Sequence, residues 1–120
     1  MKKAFKAILC IALCSVFVLS LTACGNPSKK DILGKWASEV APELDYITFA
    51  EDESGKIVCY RSLKNAVGVC RIKGNELICE LENIFFDDGD MIIQEFTEIF
   101  IWKDGKLVEK KGNTVYEKIN

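Results

Sequence analysis

Val67-Gly-Val-Cys70-Arg-Ile-Lys73-Gly74-Asn75-Glu76-Leu-Ile-Cys79-Glu-Leu81 is two short runs around a Gly-Asn pair. Alternation at period two sends successive side chains to opposite faces of a strand. Gly-Asn tolerates the positive φ of a two-residue hairpin turn. With that turn, Lys73 faces Glu76 and Cys70 falls directly opposite Cys79. Ile72, Leu77 and Leu81 share the cysteine face by parity, so that face belongs to the core.

The same grammar extends in both directions. Strands are expected at Lys35–Glu39, Tyr46–Ala50, Lys56–Leu63, Val67–Lys73, Glu76–Phe86, Met91–Lys103, Lys106–Lys111 and Thr114–Ile119. Between them lie Glu53-Ser54-Gly55, Gly74-Asn75, Asp87-Asp88-Gly89-Asp90, Asp104-Gly105 and Gly112-Asn113, all rich in residues suited to turns. Ser28-Lys-Lys-Asp31 reads as a capping box for one helical turn, with Gly34 able to end it. Helix could otherwise intrude only near Ala41–Leu44. Short loops make consecutive strands neighbours. A meander of about eight strands then closes into an up-and-down barrel, which removes its edges, or stays a twisted open sheet. The fold class is all-β, with the barrel the first expectation.

The first residues are not part of that domain. Lys2, Lys3 and Lys6 precede an apolar run from Ala7 to Leu21, broken by Ser15 and Ser20. Its 15 residues fall short of the roughly 20 that a membrane span needs. A basic head, an apolar run and small residues make a secretory signal peptide. Leu21-Thr22-Ala23-Cys24 resembles the lipobox of bacterial lipoproteins. That resemblance implies cleavage before Cys24 and a diacylglyceryl group on its sulfur. The expected organisation is a signal peptide over 1–23, a lipidated tether over 24–30 and a barrel domain over 31–120. It implies a cell-membrane location, lipid-anchored on the extracytoplasmic side, with the membrane as the partner of Cys24.

Removal of the three signal lysines leaves 13 basic against 18 acidic residues, a net of −5. That balance argues against a nucleic-acid partner and against a basic patch on anionic lipid. The remaining 97 residues suffice for one small core. The chain has no histidine, which excludes His-based triads and His metal sites. Asp87-Asp88-Gly89-Asp90 lacks the spacing of an EF-hand loop and reads as a solvated turn. No enzyme, catalytic residue, cofactor or metal site is expected.

Asp31-Ile-Leu-Gly34-Lys-Trp36 resembles the Gly-x-Trp opening of lipocalins and calycins. Ile47-Thr-Phe-Ala-Glu-Asp-Glu-Ser-Gly55-Lys-Ile is similar to the second hairpin of small lipocalin-like domains of bacterial lipoproteins. Trp102-Lys-Asp-Gly-Lys-Leu-Val and Val115-Tyr-Glu-Lys-Ile continue the likeness to the end of the chain. The resemblance implies an eight-stranded barrel whose Trp36 closes one end, with an arginine packed on it. It also implies an interior able to hold one small apolar or amphipathic ligand, with Trp36 and Arg61 as the binding residues. A barrel this short can instead be filled by its own side chains. The chain would then be a structural or protein-interaction lipoprotein. Ile84, Phe85, Phe86, Met91, Ile92 and Ile93, beside the acidic turn, are its candidate surface.

Cys10 and Cys14 leave with the signal, so Cys59, Cys70 and Cys79 remain, an odd number where disulfides form. With Lys64-Asn65 as a second two-residue turn, Cys59 falls opposite Cys70 and Leu63 joins the core face. Three readings follow: buried thiols packing as small hydrophobes, a Cys70–Cys79 disulfide, or a three-thiolate metal site, disfavoured without a fourth ligand. Cys70 and Cys79 form a non-hydrogen-bonded pair by counting from the turn, where side chains sit closer. Arg61 shares this face and needs a carboxylate, an aromatic ring or an anionic ligand head to offset its burial. Glu95 and Glu98 interrupt an otherwise apolar strand without revealing which way they face.

Overall fold

The computed structural model describes residues 25–119. The expected signal segment over 1–23 and the lipidation site Cys24 lie outside the described residues. A helical turn, α1 (Lys29–Ile32), precedes eight strands: β1 (Gly34–Ser38), β2 (Tyr46–Glu51), β3 (Ile57–Arg61), β4 (Ala66–Lys73), β5 (Glu76–Asp87), β6 (Asp90–Lys103), β7 (Lys106–Glu109) and β8 (Val115–Lys118). All pair antiparallel in chain order, and β8 pairs back onto β1, so the sheet is a closed barrel. The barrel, rather than the open meander, is therefore the architecture. Ala41–Leu44 forms a single turn and no helix.

The turns explain the order. Asp88 and Gly89 both take positive φ, as do Asp104 and Gly105, the backbone of a tight primed turn. In the β3–β4 connection only Asn65 does so, and Lys64 does not. The expected two-residue turn therefore opens to four residues, Ser62–Asn65. Arg61 now pairs with Ala66, Cys59 opposes Gly68, and Ile57 opposes Cys70. The shift is two residues, so Cys59 keeps its inward face but lies diagonal to Cys70. Leu63, expected in the core, sits in the turn and is exposed.

One end of the barrel is shut by apolar packing. Ser28 and Asp31 form the capping box of α1, with the Asp31 carboxylate accepting from the Ser28 amide at 2.8 Å. That contact and the Ser28 hydroxyl hold the Asp31 carboxyl below the usual carboxylate range. Lys29 fastens the helix over the β2–β3 turn by donating to the Gly55 carbonyl and to Glu51. Ile32 thereby enters the barrel, and its carbonyl accepts from the Trp36 indole N–H at 2.8 Å. Trp36 meets Trp102 edge to face, with centroids 6.2 Å apart. Below this plug, Ile47, Phe49, Leu77, Leu81, Phe100, Leu107 and Tyr116 fill the interior. Each large side chain so buried contributes about 1.5–3 kcal/mol.

The wall coils most tightly at β4–β5. A Cβ on Gly68 would overlap the Glu80 carbonyl oxygen and stand 2.8 Å from the Leu81 Cα. Only a residue without a side chain permits that approach.

The strands are unequal. β5 and β6 run 12 and 14 residues, while β7 and β8 run four each. β4 covers β5 only as far as Asn83, and β7 covers β6 only from Phe100. Beyond those limits β5 and β6 pair with each other alone, and a two-stranded ribbon projects from the end opposite α1.

Candidate functional site

That second end carries the polar chemistry of the molecule. Arg61 closes β3, Glu109 closes β7, Tyr116 stands in β8, Glu98 faces inward from β6, and Asp45 precedes β2. Barrel closure brings all five together. The Arg61 Nε lies 2.8 Å from Glu98 Oε1, an ion pair without hydrogen-bond alignment. Its Nη2 reaches Glu109 at 3.3 Å, and its Nη1 donates to the Tyr116 hydroxyl at 3.0 Å. Tyr116 in turn donates to the Asp45 carboxylate at 2.9 Å. Lys64 takes the other oxygen of Glu98 at 2.7 Å.

The centre of this network is buried. Arg61 is 2 % exposed and Glu98 8 %. Burial works to lower the arginine pKa, but Glu98, Tyr116 and Asp45 together more than offset this and the group stays charged. Burial pushes the Tyr116 phenol up, Asp45 adds to that shift, and Arg61 opposes it. The guanidinium also lies over Phe100 and Tyr116, 5.6 and 5.4 Å from their centroids.

The two residues singled out for a ligand are thus taken up by the protein itself. Trp36 is fully buried at the opposite end, with its N–H given to Ile32. Arg61 directs its nitrogens to Glu98, Glu109 and Tyr116 rather than to an open space. It does not pack on Trp36. Trp102 takes that place instead. Sequence reasoning left Glu98 unassigned. Its signal was parity, because Phe96, Glu98, Phe100 and Trp102 share one face of β6, and Phe100 is core.

Open space lies beside the network. A cleft of about 910 Å³ runs between the ribbon base and the β7–β8 turn, with Leu63, Lys64, Phe96, Glu98, Lys110 and Lys111 on its walls. A groove of about 470 Å³ lies at the ribbon base by Gly68, Glu82 and Glu95.

The ribbon itself is apolar and unpartnered. Ile84 pairs with Ile93 and Phe86 with Met91 on one face, and Phe85 pairs with Ile92 on the other. Phe86 is 71 % exposed and Met91 60 %. Between Glu82 and Thr97 the sequence has five acidic residues and no lysine or arginine.

The three cysteines meet inside the wall of the barrel. Cys70 and Cys79 are cross-strand partners with sulfurs 2.7 Å apart, and all three sulfurs lie within 4.8 Å of one another. All three are buried free thiols. Contacts from the Cys70 and Cys79 thiols hold Cys59 low, against its burial, and Arg61 helps at longer range. The contact with Cys59 pushes Cys70 and Cys79 up.

Comparison of the chain with protein-family models, with curated proteins and with solved structures finds no match.

Proposed function

We propose that this chain is a lipid-anchored, extracytoplasmic lipoprotein whose lipocalin-like barrel is a non-enzymatic support, presenting the β5–β6 ribbon to a protein partner. The observation that carries this reading is the ribbon's apolar surface, with Phe86 and Met91 left mostly in water. Exposed apolar clusters of this kind mark interaction sites. The free edge of β6 before Ile99 also offers unpaired backbone groups, to which an extended segment can add as a further strand. The acidic residues around it favour a partner strand that carries lysine or arginine.

Topology supports a protein rather than a bilayer as the occupant. Gly25 leads into α1 at the plugged end. The residues from Gly25 to Ser28 span at most ~14 Å. A lipid on Cys24 therefore holds the plugged end to the membrane and points the ribbon away from it. The closed eight-stranded meander is consistent with a lipocalin-like fold. Its filled interior supports a role at the surface over an internal ligand.

A photo-crosslinking side chain at Phe86 or Met91, with Tyr60 on the barrel wall as control, tests this in intact cells. A discrete protein adduct from the two ribbon positions and none from Tyr60 is the expected result. No adduct, an adduct with lipid, or equal labelling at Tyr60 overturns the reading.

The cleft of about 910 Å³ favours a second reading, a small amphipathic ligand at the barrel mouth. Its apolar part would lie on Leu63 and Phe96 and its anionic head near Lys110 and Lys111. A small molecule retained through native mass spectrometry would favour it.

A further inference from the structure

Cys59, Cys70 and Cys79 are all the cysteines among the described residues, and they come from three adjacent strands to one point. Packing alone asks for no such convergence, since a small apolar residue would serve at any of the three positions. A disulfide between Cys70 and Cys79 would use two of the sulfurs and leave Cys59 without a role. We propose that the cluster is a binding site for one soft monovalent cation of the copper(I) class, held by all three sulfurs.

The donor set selects the ion. Thiolates are soft ligands and favour copper(I), zinc and iron–sulfur clusters. Zinc completes a tetrahedron in structural sites, and here the donors number three. No histidine exists anywhere in the chain to supply a nitrogen. A trigonal, all-sulfur site in a dry wall suits a soft ion with no need of water or oxygen ligands.

The fold supplies the shape. Gly68 occupies the inward position opposite Cys59, so no side chain stands between Cys59 and its diagonal neighbour Cys70. Cys70 and Cys79 approach from the next ladder, and their sulfurs, 2.7 Å apart without an ion, must separate to take one between them. Arg61, two residues from Cys59 on the same face, has its charge taken up by Glu98 and Glu109 and does not carry the site. Binding one monovalent cation to three thiols releases three protons and leaves a complex of two negative charges.

The test uses the mature protein extracted from cells in detergent, reduced and kept anaerobic, with copper(I) supplied against a chromogenic copper(I) chelator. One copper retained per chain, with a shell of three sulfurs by X-ray absorption, is expected. Zinc(II) offered under the same conditions should not be retained. Cys59→Ala and Cys79→Ala should each weaken retention by more than the roughly 10–100-fold that loss of an outer-shell partner brings. Near-UV circular dichroism of each variant checks that the barrel is intact. Three results overturn the proposal: no copper retained, copper held equally well by Cys59→Ala, or a chain that, weighed as extracted and before reduction, is lighter by two hydrogens with Cys70 and Cys79 already joined.

Discussion

The two ends of this barrel are closed by opposite means. At the α1 end, Ile32, Trp36 and Trp102 pack as an apolar plug, and the one buried donor there, the Trp36 N–H, has a backbone acceptor 2.8 Å away. At the ribbon end, Arg61, Glu98, Glu109, Tyr116 and Asp45 close the interior with charge. Apolar burial stabilises in proportion to area and is indifferent to direction. Buried charge must first overcome desolvation and does so only when its partners are in place. The plugged end is thus stable by default, and the charged end is stable by arrangement.

Substitution of the central residue at each end separates the two cases. Arg61→Leu leaves buried Glu98 with Lys64 as its one remaining cation and takes the guanidinium from Glu109 and Tyr116, and should lower unfolding stability by ~3–5 kcal/mol. Trp36→Ala should lower it by a similar ~3–5 kcal/mol through the cavity it leaves. A second change distinguishes them. Arg61→Leu with Glu98→Leu removes both charges and should regain most of the loss. No single partner substitution refills the volume of Trp36. Urea denaturation of the three variants beside the wild type reads this directly. Failure of the double variant to recover would mean that the remaining carboxylates of the network, Glu109 and Asp45, and not Glu98, are what Arg61 offsets.

Much of this contrast could be read from the sequence, and the unread part has a clear cause. Alternation and turn residues fixed the eight strands, and Gly74-Asn75 gave the β4–β5 register through to the Cys70–Cys79 pair. The β3–β4 register was missed by two residues, because Lys64-Asn65 looked like a two-residue turn while only Asn65 adopts positive φ. Trp36 was recognised as the residue at a closed end. Its contact was not, since the edge-to-face partner Trp102 is 66 positions away along the chain. Arg61 was marked as a buried charge in want of a partner. Which of 18 acidic residues would meet it depends on barrel closure, a long-range event with no local signature. The ribbon's apolar residues were visible as a surface candidate. Their projection was not, because it follows from the shortness of β7 beside β6.

Alkaline pH should act on the charged end in particular. Burial raises the Tyr116 phenol above its ordinary value of 10.0. The folded state therefore holds this proton more tightly than the unfolded chain does. The resulting stability is complete below pH 10 and declines as pH rises through the elevated folded value. Tyr116→Phe removes the hydrogen bonds to Asp45 and Arg61, and near neutrality it should lower stability by ~1.5–3 kcal/mol. Above pH 10 the gap between wild type and Tyr116→Phe should narrow, as the wild type alone loses the phenol's contribution. Lysines titrate alike in both proteins, so the difference isolates Tyr116. A gap that stays constant from pH 8 to 11.5 would remove the phenol from the account.

The smallest expected change in stability falls on the ribbon, where the comparison is sharpest. Phe86 stands on a two-stranded extension outside the closed barrel and is mostly exposed. Phe86→Ser removes a ring that covers little else, so unfolding stability should move by no more than ~0.5 kcal/mol. If the ring exists to meet a partner, the same substitution should abolish the crosslink formed from Met91, its pair on the same face. Charge reversal beside the turn, Asp87→Lys, should weaken that crosslink and leave folding unchanged, because Asp87 is exposed and takes no positive φ. A stability loss comparable to that of Arg61→Leu would instead make the ribbon part of the barrel's own structure. Its exposed apolar side chains would then be an extension of the core rather than a surface kept for another molecule.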